Sequence, residues 1–284
     1  MWLNKAVGVL ILSILLFSFQ KDKPAYTLFA QGGKVAKFDK MISDLADADV
    51  ILFGEYHDNP IAHWLQLEVT KSLHEKKSIK LAAEMFEADN QIGLNQYLLD
   101  DTLKMSEVDT IRLWPNYYTD YAPLVDFAKS NKLQFVAANV PRRYANMVYR
   151  GGFEALDTIS ELERNWIAPL PIKYDKDLPG YKEMLEMMGG HGGTNLPKAQ
   201  ALKDATMAYF ILKNRGDKLL IHYNGSFHSN NFDGIYWHLK NANPDLNIKT
   251  IATVSQEKLS NLESENKKLA DYIIAVAANM TSTH

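Results

Sequence analysis

The chain has no cysteine. That removes disulfides, a thiolate nucleophile, a Cys-ligated metal and a Cys-linked lipid anchor together. Charge of one sign is also lacking: 31 basic residues stand against 34 acidic ones, for a net charge of −3. With no Arg/Lys stripe interleaved with aromatics, nucleic acid is not an expected partner. A Gly-x-Ser-x-Gly elbow is absent as well, which disfavours a serine hydrolase of the usual α/β type, and no internal repeat of fixed period is visible. What is present is an ordinary globular composition, 46% apolar and 23% charged over 284 residues, enough for one large α/β domain or two smaller ones.

The one long apolar run opens the chain. Lys5 precedes residues 6–19, a stretch too short for a comfortable bilayer span but suited to the centre of an export signal, and Lys21-Asp22-Lys23-Pro24 ends it abruptly. Residues 1–20 therefore read as an export signal or, since Gln20 makes a poor cleavage site, an uncleaved N-terminal anchor. The expected location is outside the cytoplasm, periplasmic or membrane-associated.

Beyond this segment, short apolar runs at 50–53, 79–83, 133–138, 219–223 and 248–254 alternate with amphipathic stretches. This pattern predicts an α/β fold, a largely parallel sheet covered by helices. Residues 60–75, with Pro60 near the start and Ile61, Trp64, Leu65, Leu67, Val69 and Leu73 mainly on one side, predict the first crossover helix. The later connections are longer than a crossover needs. Residues of about 88–131 and 142–216 read as helical insertions forming a cap over the carboxyl ends of the strands, within a domain spanning 38–260, with 261–284 as a C-terminal tail or helix.

A Gly-x-x-His tetrad occurs twice, as Gly54-Glu55-Tyr56-His57 and Gly225-Ser226-Phe227-His228, each time straight after an apolar run. With 15 Gly and 8 His, chance supplies fewer than one such spacing. Four strands in all end in polar residues that a buried strand avoids: Glu55 and His57, Glu84 and Glu87, Asn139 with Arg142 and Arg143, and Asn224 with His228. In a parallel sheet these groups converge at one edge, where open α/β sheets bind ligands. Such a set can bind a divalent metal, hold an anion or move protons. Asp58 suits a helix cap ahead of Pro60, and His63 and His74 read as surface or boundary residues.

In order along the chain, Gly54-Glu55-Tyr56-His57-Asp58-Asn59, Ala83-Glu84-Met85-Phe86, Ala138-Asn139-Val140-Pro141-Arg142-Arg143, Gln200-x-x-x-Asp204-x-x-Met207-Ala208 and Gly225-x-x-His228 resemble the ChaN-type haem-binding uptake family. That family belongs to a larger group with the Tiki metalloproteases and the erythromycin esterases. The resemblance implies an α/β core with helical additions, export, a role in haem or iron acquisition, and dealings with an outer-membrane haem or iron receptor; a homodimer is compatible with it. Many relatives are lipoproteins, a feature that does not carry over to a chain without cysteine.

The resemblance leaves two chemistries open. Haem needs an apolar slot, an axial ligand and cations for its propionates. Candidates are Tyr117, Tyr118 and Tyr121 with Trp114, then Met184 and Met188 before His191, and Arg142 and Arg143. Packing of the insertion helix is the plainer role for the aromatic stripe. A Tiki-like hydrolase would instead use His57, Glu84 and His228 as ligands to Mn, Co or Zn, with Glu55 beside them. An esterase-like one would dispense with the metal and use His57 as general base and Glu84 as its orienter. A plain exported binding scaffold is a third reading.

Overall fold

The computed structural model describes residues 23–187 and 193–283. Its centre is one eight-stranded sheet in the order β2-β1-β8-β7-β3-β6-β4-β5. The strands are β1 (Tyr26–Ala30), β2 (Lys34–Val35), β3 (Val50–Glu55), β4 (Ile79–Glu87), β5 (Phe135–Asn139), β6 (Leu219–Gly225), β7 (Ile248–Gln256) and β8 (Tyr272–Ala277). From β8 to β5 every pairing is parallel, and β1 and β2 add an antiparallel edge. The predicted α/β class with a largely parallel sheet is what the fold shows.

Eight α-helices accompany the sheet among the described residues: α1 (Phe38–Leu45), α2 (Pro60–His74), α3 (Gln91–Leu99), α4 (Ala122–Ser130), α5 (Arg142–Gly151), α6 (Pro179–Met187), α7 (Leu196–Arg215) and α8 (Ile235–Ala242). Alternation along the strands divides the core between two faces. Ile51 and Phe53 of β3 pack with Leu65, Val69, Leu94, Leu124 and Val125, whereas Val50 and Leu52 pack with Met207, Ile211, Ile235 and Leu239. Helices α1 to α4 thus cover one face, and α7 and α8 the other. Both faces being covered explains why the central strands read as continuous apolar runs rather than alternating ones.

Three expectations change. Residues 261–284 are not a tail or helix: Tyr272–Ala277 forms β8, paired in parallel with β7 and buried between β7 and β1. Six apolar residues without a flanking turn motif fit a buried helix segment as well as a strand, and pairing on both sides decides the matter. The proposed insertions are only partly a cap, since α3, α4 and α7 lie on the faces of the sheet, while the segment Arg112 to Asn116 reaches the carboxyl edge. Finally, Asn59 rather than Asp58 caps α2, its Oδ1 accepting from the Ala62 backbone N–H at 3.0 Å. The export-signal expectation for residues 1–20 lies outside the described residues. No helix among those described is long and apolar enough to cross a membrane.

Candidate functional site

The two tetrads are neighbours in space because β3 and β6 are adjacent and parallel, with Gly54 opposite Asn224 and Glu55 opposite Gly225. Each glycine serves close approach. A Cβ on Gly54 would lie 2.9 Å from the Ser226 Cα, and one on Gly225 would lie 2.8 Å from His57 Nε2. The motif's small residue therefore lets each loop press against the other strand's end.

The carboxylates at this edge stand on opposite faces of the sheet. Glu55 shares the Ile51/Phe53 face with α2, and three donors meet it: His57 Nδ1 at 2.8 Å, Tyr121 Oη at 2.7 Å, and the Gln66 amide. Glu84 shares the Ala82 face with α7. It accepts from the Gly225 backbone N–H at 2.8 Å and from His228 Nε2 at 3.1 Å. His228 Nδ1 in turn lies 2.5 Å from Asp204 Oδ1, and the Gln200 amide lies 2.9 Å from that nitrogen. Asp204 is fixed further by the Tyr181 hydroxyl, which donates to it at 3.0 Å.

A histidine with a carboxylate on each ring nitrogen is an imidazolium. Burial opposes that charge, but Glu84 and Asp204 outweigh it and push His228 up to about 9. Burial likewise favours neutral Glu84, yet His228, His57 and the Gly225 N–H hold it well below the usual carboxylate range. His57 is also raised: desolvation works against its charge, and the Glu55 hydrogen bond and the Glu84 charge overcome it. As the side chains stand, both His228 nitrogens face carboxylates rather than an open coordination position. Among the described residues no group of three His, Asp or Glu is arranged to hold a metal ion.

His57, with its side chain 39% exposed, is the member of this set that reaches a cleft of about 810 Å³. Leu113, Trp114 and Pro115 give the cleft an apolar wall, Asn116 and Asn146 polar positions, and Arg112, Arg142 and Arg143 a cationic rim. The Trp114 ring meets the His57 ring edge-on at 4.9 Å between centroids. Asn116 donates to the His57 carbonyl at 2.8 Å and so ties the cleft wall to the first tetrad.

The structure brings His57, Glu84 and His228 near one another at the carboxyl edge of the sheet, but of the three only His57 reaches the cleft, with Arg142 and Arg143; Glu84 and His228 are buried behind it. The arginines are not the partners of Glu84; His228 is. The aromatic stripe divides: Tyr117 and Tyr121 are buried in a π-helical turn against the core, and Tyr118 is 60% exposed. Tyr117 and Tyr121 therefore pack, and Tyr121 also orients Glu55. Met184 lies half-buried on α6 and does not line the cleft. Met188 and His191 lie outside the described residues.

Sequence reasoning missed several residues. His63 is buried rather than peripheral, its Nε2 donating to the His57 carbonyl at 3.1 Å. It shares with Gln66 and Thr70 a buried polar row on α2, whose other buried residues are apolar, and polar residues at that helical spacing were the available signal. Gln200 and Asp204, four apart on the largely buried α7, stand in the motifs that carry the resemblance but have no role assigned from sequence; the structure makes them partners of His228. Arg112 and Asn116 lie in a loop with no periodicity to mark them.

Residues 41–239 match the family model described as haem-binding uptake, Tiki superfamily, ChaN. Among solved structures, a ChaN of Campylobacter jejuni described as binding haem cofacially superposes with a TM-score of 0.67 at 20% identity, covering 88% of this chain and 96% of that one. A Bacillus cereus protein gives 0.51 at 11% identity, over 89% and 95% of the two chains. An erythromycin esterase, solved as a mutant in its open conformation, gives 0.50 at 10%, over 90% and 98%. At these identities the structures share the fold. No curated protein matches the chain.

Proposed function

The chain belongs to the ChaN haem-binding uptake family of the Tiki superfamily, and from that membership we propose that it binds haem in the cleft beside His57. The observation that carries the reading is the cleft's make-up: a volume within the range of small-molecule sites, one apolar wall and one guanidinium without an acidic partner. Trp114, Leu113 and Pro115 suit the macrocycle. Arg142 is exposed and, among the described residues, has no ion-pair partner, so it is available to a propionate as a bidentate donor. His57 borders the cleft with its exposed ring edge, its Nδ1–H held by Glu55 and its Nε2 packed against Gly225, so it orients the neighbouring Trp114 ring rather than presenting a free nitrogen to iron.

Haem supplies the iron; the protein's part is to hold the ring, exclude water from one side and bind the carboxylates. Export through residues 1–20, a place in haem or iron acquisition, hand-over to an outer-membrane haem or iron receptor, and assembly as a homodimer all belong to the same reading. Absorbance titration of purified protein with haem tests it. A saturable Soret shift that weakens in Trp114→Ala supports it, and no saturable shift refutes it.

The Glu55–His57 pair favours a second reading. An imidazole oriented by a buried carboxylate, with Glu84 behind it, can take a proton from water, and hydrolysis of an ester needs no metal for that step. Ester turnover that His57→Ala abolishes, in protein that takes up no haem, would favour it over uptake.

A further inference from the structure

Four charged side chains stand at the cleft mouth, apart from the Glu55–His57 and Glu84–His228 sets. Glu87 ends β4, Asp89 sits in the short turn after it, Arg112 lies on the cleft loop, and Arg143 is in the first turn of α5. Arg112 binds Glu87 through Nε at 3.0 Å and Nη2 at 2.6 Å, and also binds Asp89 Oδ1. Arg143 donates through Nη1 to Asp89 Oδ2 at 2.8 Å. It also donates through Nη2 to the Tyr144 hydroxyl at 3.0 Å and lies 4.5 Å and 5.2 Å from the Tyr144 and Trp166 ring centroids. Asp89 therefore places one oxygen on each of two guanidiniums. Arg142, next to Arg143 in the chain, has no such partner among the described residues.

We propose that Asp89 sets the anion capacity of the cleft: by occupying Arg143 it leaves one free guanidinium, so a ligand with two carboxylates is gripped by one of them. The inference rests on the haem reading for the identity of that ligand. Arg112 has Glu87 as well as Asp89, so the cleft loop stays tied to β4 when Asp89 is neutralised. The Arg143 body stays in place through its aromatic neighbours, and only its Nη1 donor is released. A carrier has reason to limit its grip, because bound cargo must leave.

The test compares haem, with two propionates, and haem dimethyl ester, with none, on wild type and Asp89→Asn, with circular dichroism confirming the fold. Asp89→Asn should tighten haem by about three- to tenfold, the range for one added charge-assisted contact at a half-exposed arginine. It should leave the ester within about twofold. Unchanged or weaker haem binding by Asp89→Asn, or equal tightening of both ligands, overturns the proposal.

Phenylglyoxal labelling mapped by mass spectrometry reads the same arrangement without haem. Arg142 should be modified and Arg143 spared in wild type, with both modified in Asp89→Asn; equal labelling of Arg143 in the two proteins overturns the proposal. A wild type that binds no haem, with the labelling pattern intact, refutes the haem reading and leaves the role of Asp89 standing for other dicarboxylates.

Discussion

Gly225 and the His57 ring are packed so closely that a Cβ on the glycine would stand 2.8 Å from Nε2 and 3.0 Å from Cε1. Gly225 also gives its N–H to Glu84. One backbone position thus joins the Glu55–His57 system on one face of the sheet to the Glu84–His228–Asp204 system on the other.

Gly225→Ala should push the His57 ring away from Glu84. The obstacle is one methyl group against a half-exposed side chain, so the fold survives at a cost of about 1–3 kcal/mol. Thermal unfolding should show a Tm lower by several degrees, and the His57 resonance in an NMR titration should move toward an ordinary imidazole pKa. An unchanged His57 titration would show that the close approach is of no consequence.

The His228 imidazolium gives stability a definite pH dependence. Its folded pKa of about 9 lies above the 6.5 of a free histidine. Its contribution is therefore fully present below pH 6.5 and is lost as pH rises through 9. Tm should fall between pH 7 and pH 10, and Asp204→Asn should bring the His228 transition to lower pH. A Tm flat across that range would contradict the two-carboxylate arrangement.

Glu84→Gln removes the buried charge facing His228 and leaves the cleft wall intact. Losing one member of a buried ion pair costs about 3–5 kcal/mol, so stability should drop. Haem affinity should stay within about twofold, because neither Trp114 nor Arg142 touches Glu84. A loss of haem affinity comparable to that of Arg142→Ala, in folded protein, would place Glu84 in the binding site itself.

The sequence reveals the parallel core and the strand-end cluster because both follow from local pattern: apolar runs of strand length, each ended by Glu, Asn or His at a position that burial disfavours. The edge was harder to read. Residues 272–277 carry no signal of their strand neighbours, and β1 and β2 exist through pairing with β8 rather than through periodicity. Within the site, Tyr121 sits in a stripe that also suits a ligand-facing role. Only the π-helical turn, which directs its hydroxyl to Glu55, separates the two. The partners of Asp89 come from residues 23 and 54 positions away in the chain, beyond the reach of any local spacing.

The most direct measurement of the central claim is a haem titration followed by absorbance on wild type, Arg142→Ala and Trp114→Ala, with Leu99→Ala, on an exposed position remote from the cleft, as control. Wild type and control should saturate alike. Arg142→Ala should weaken binding by about tenfold, for one lost charge-assisted contact, and Trp114→Ala should weaken it as well. Haem binding of wild-type strength in both cleft variants would place the ligand elsewhere and contradict the account.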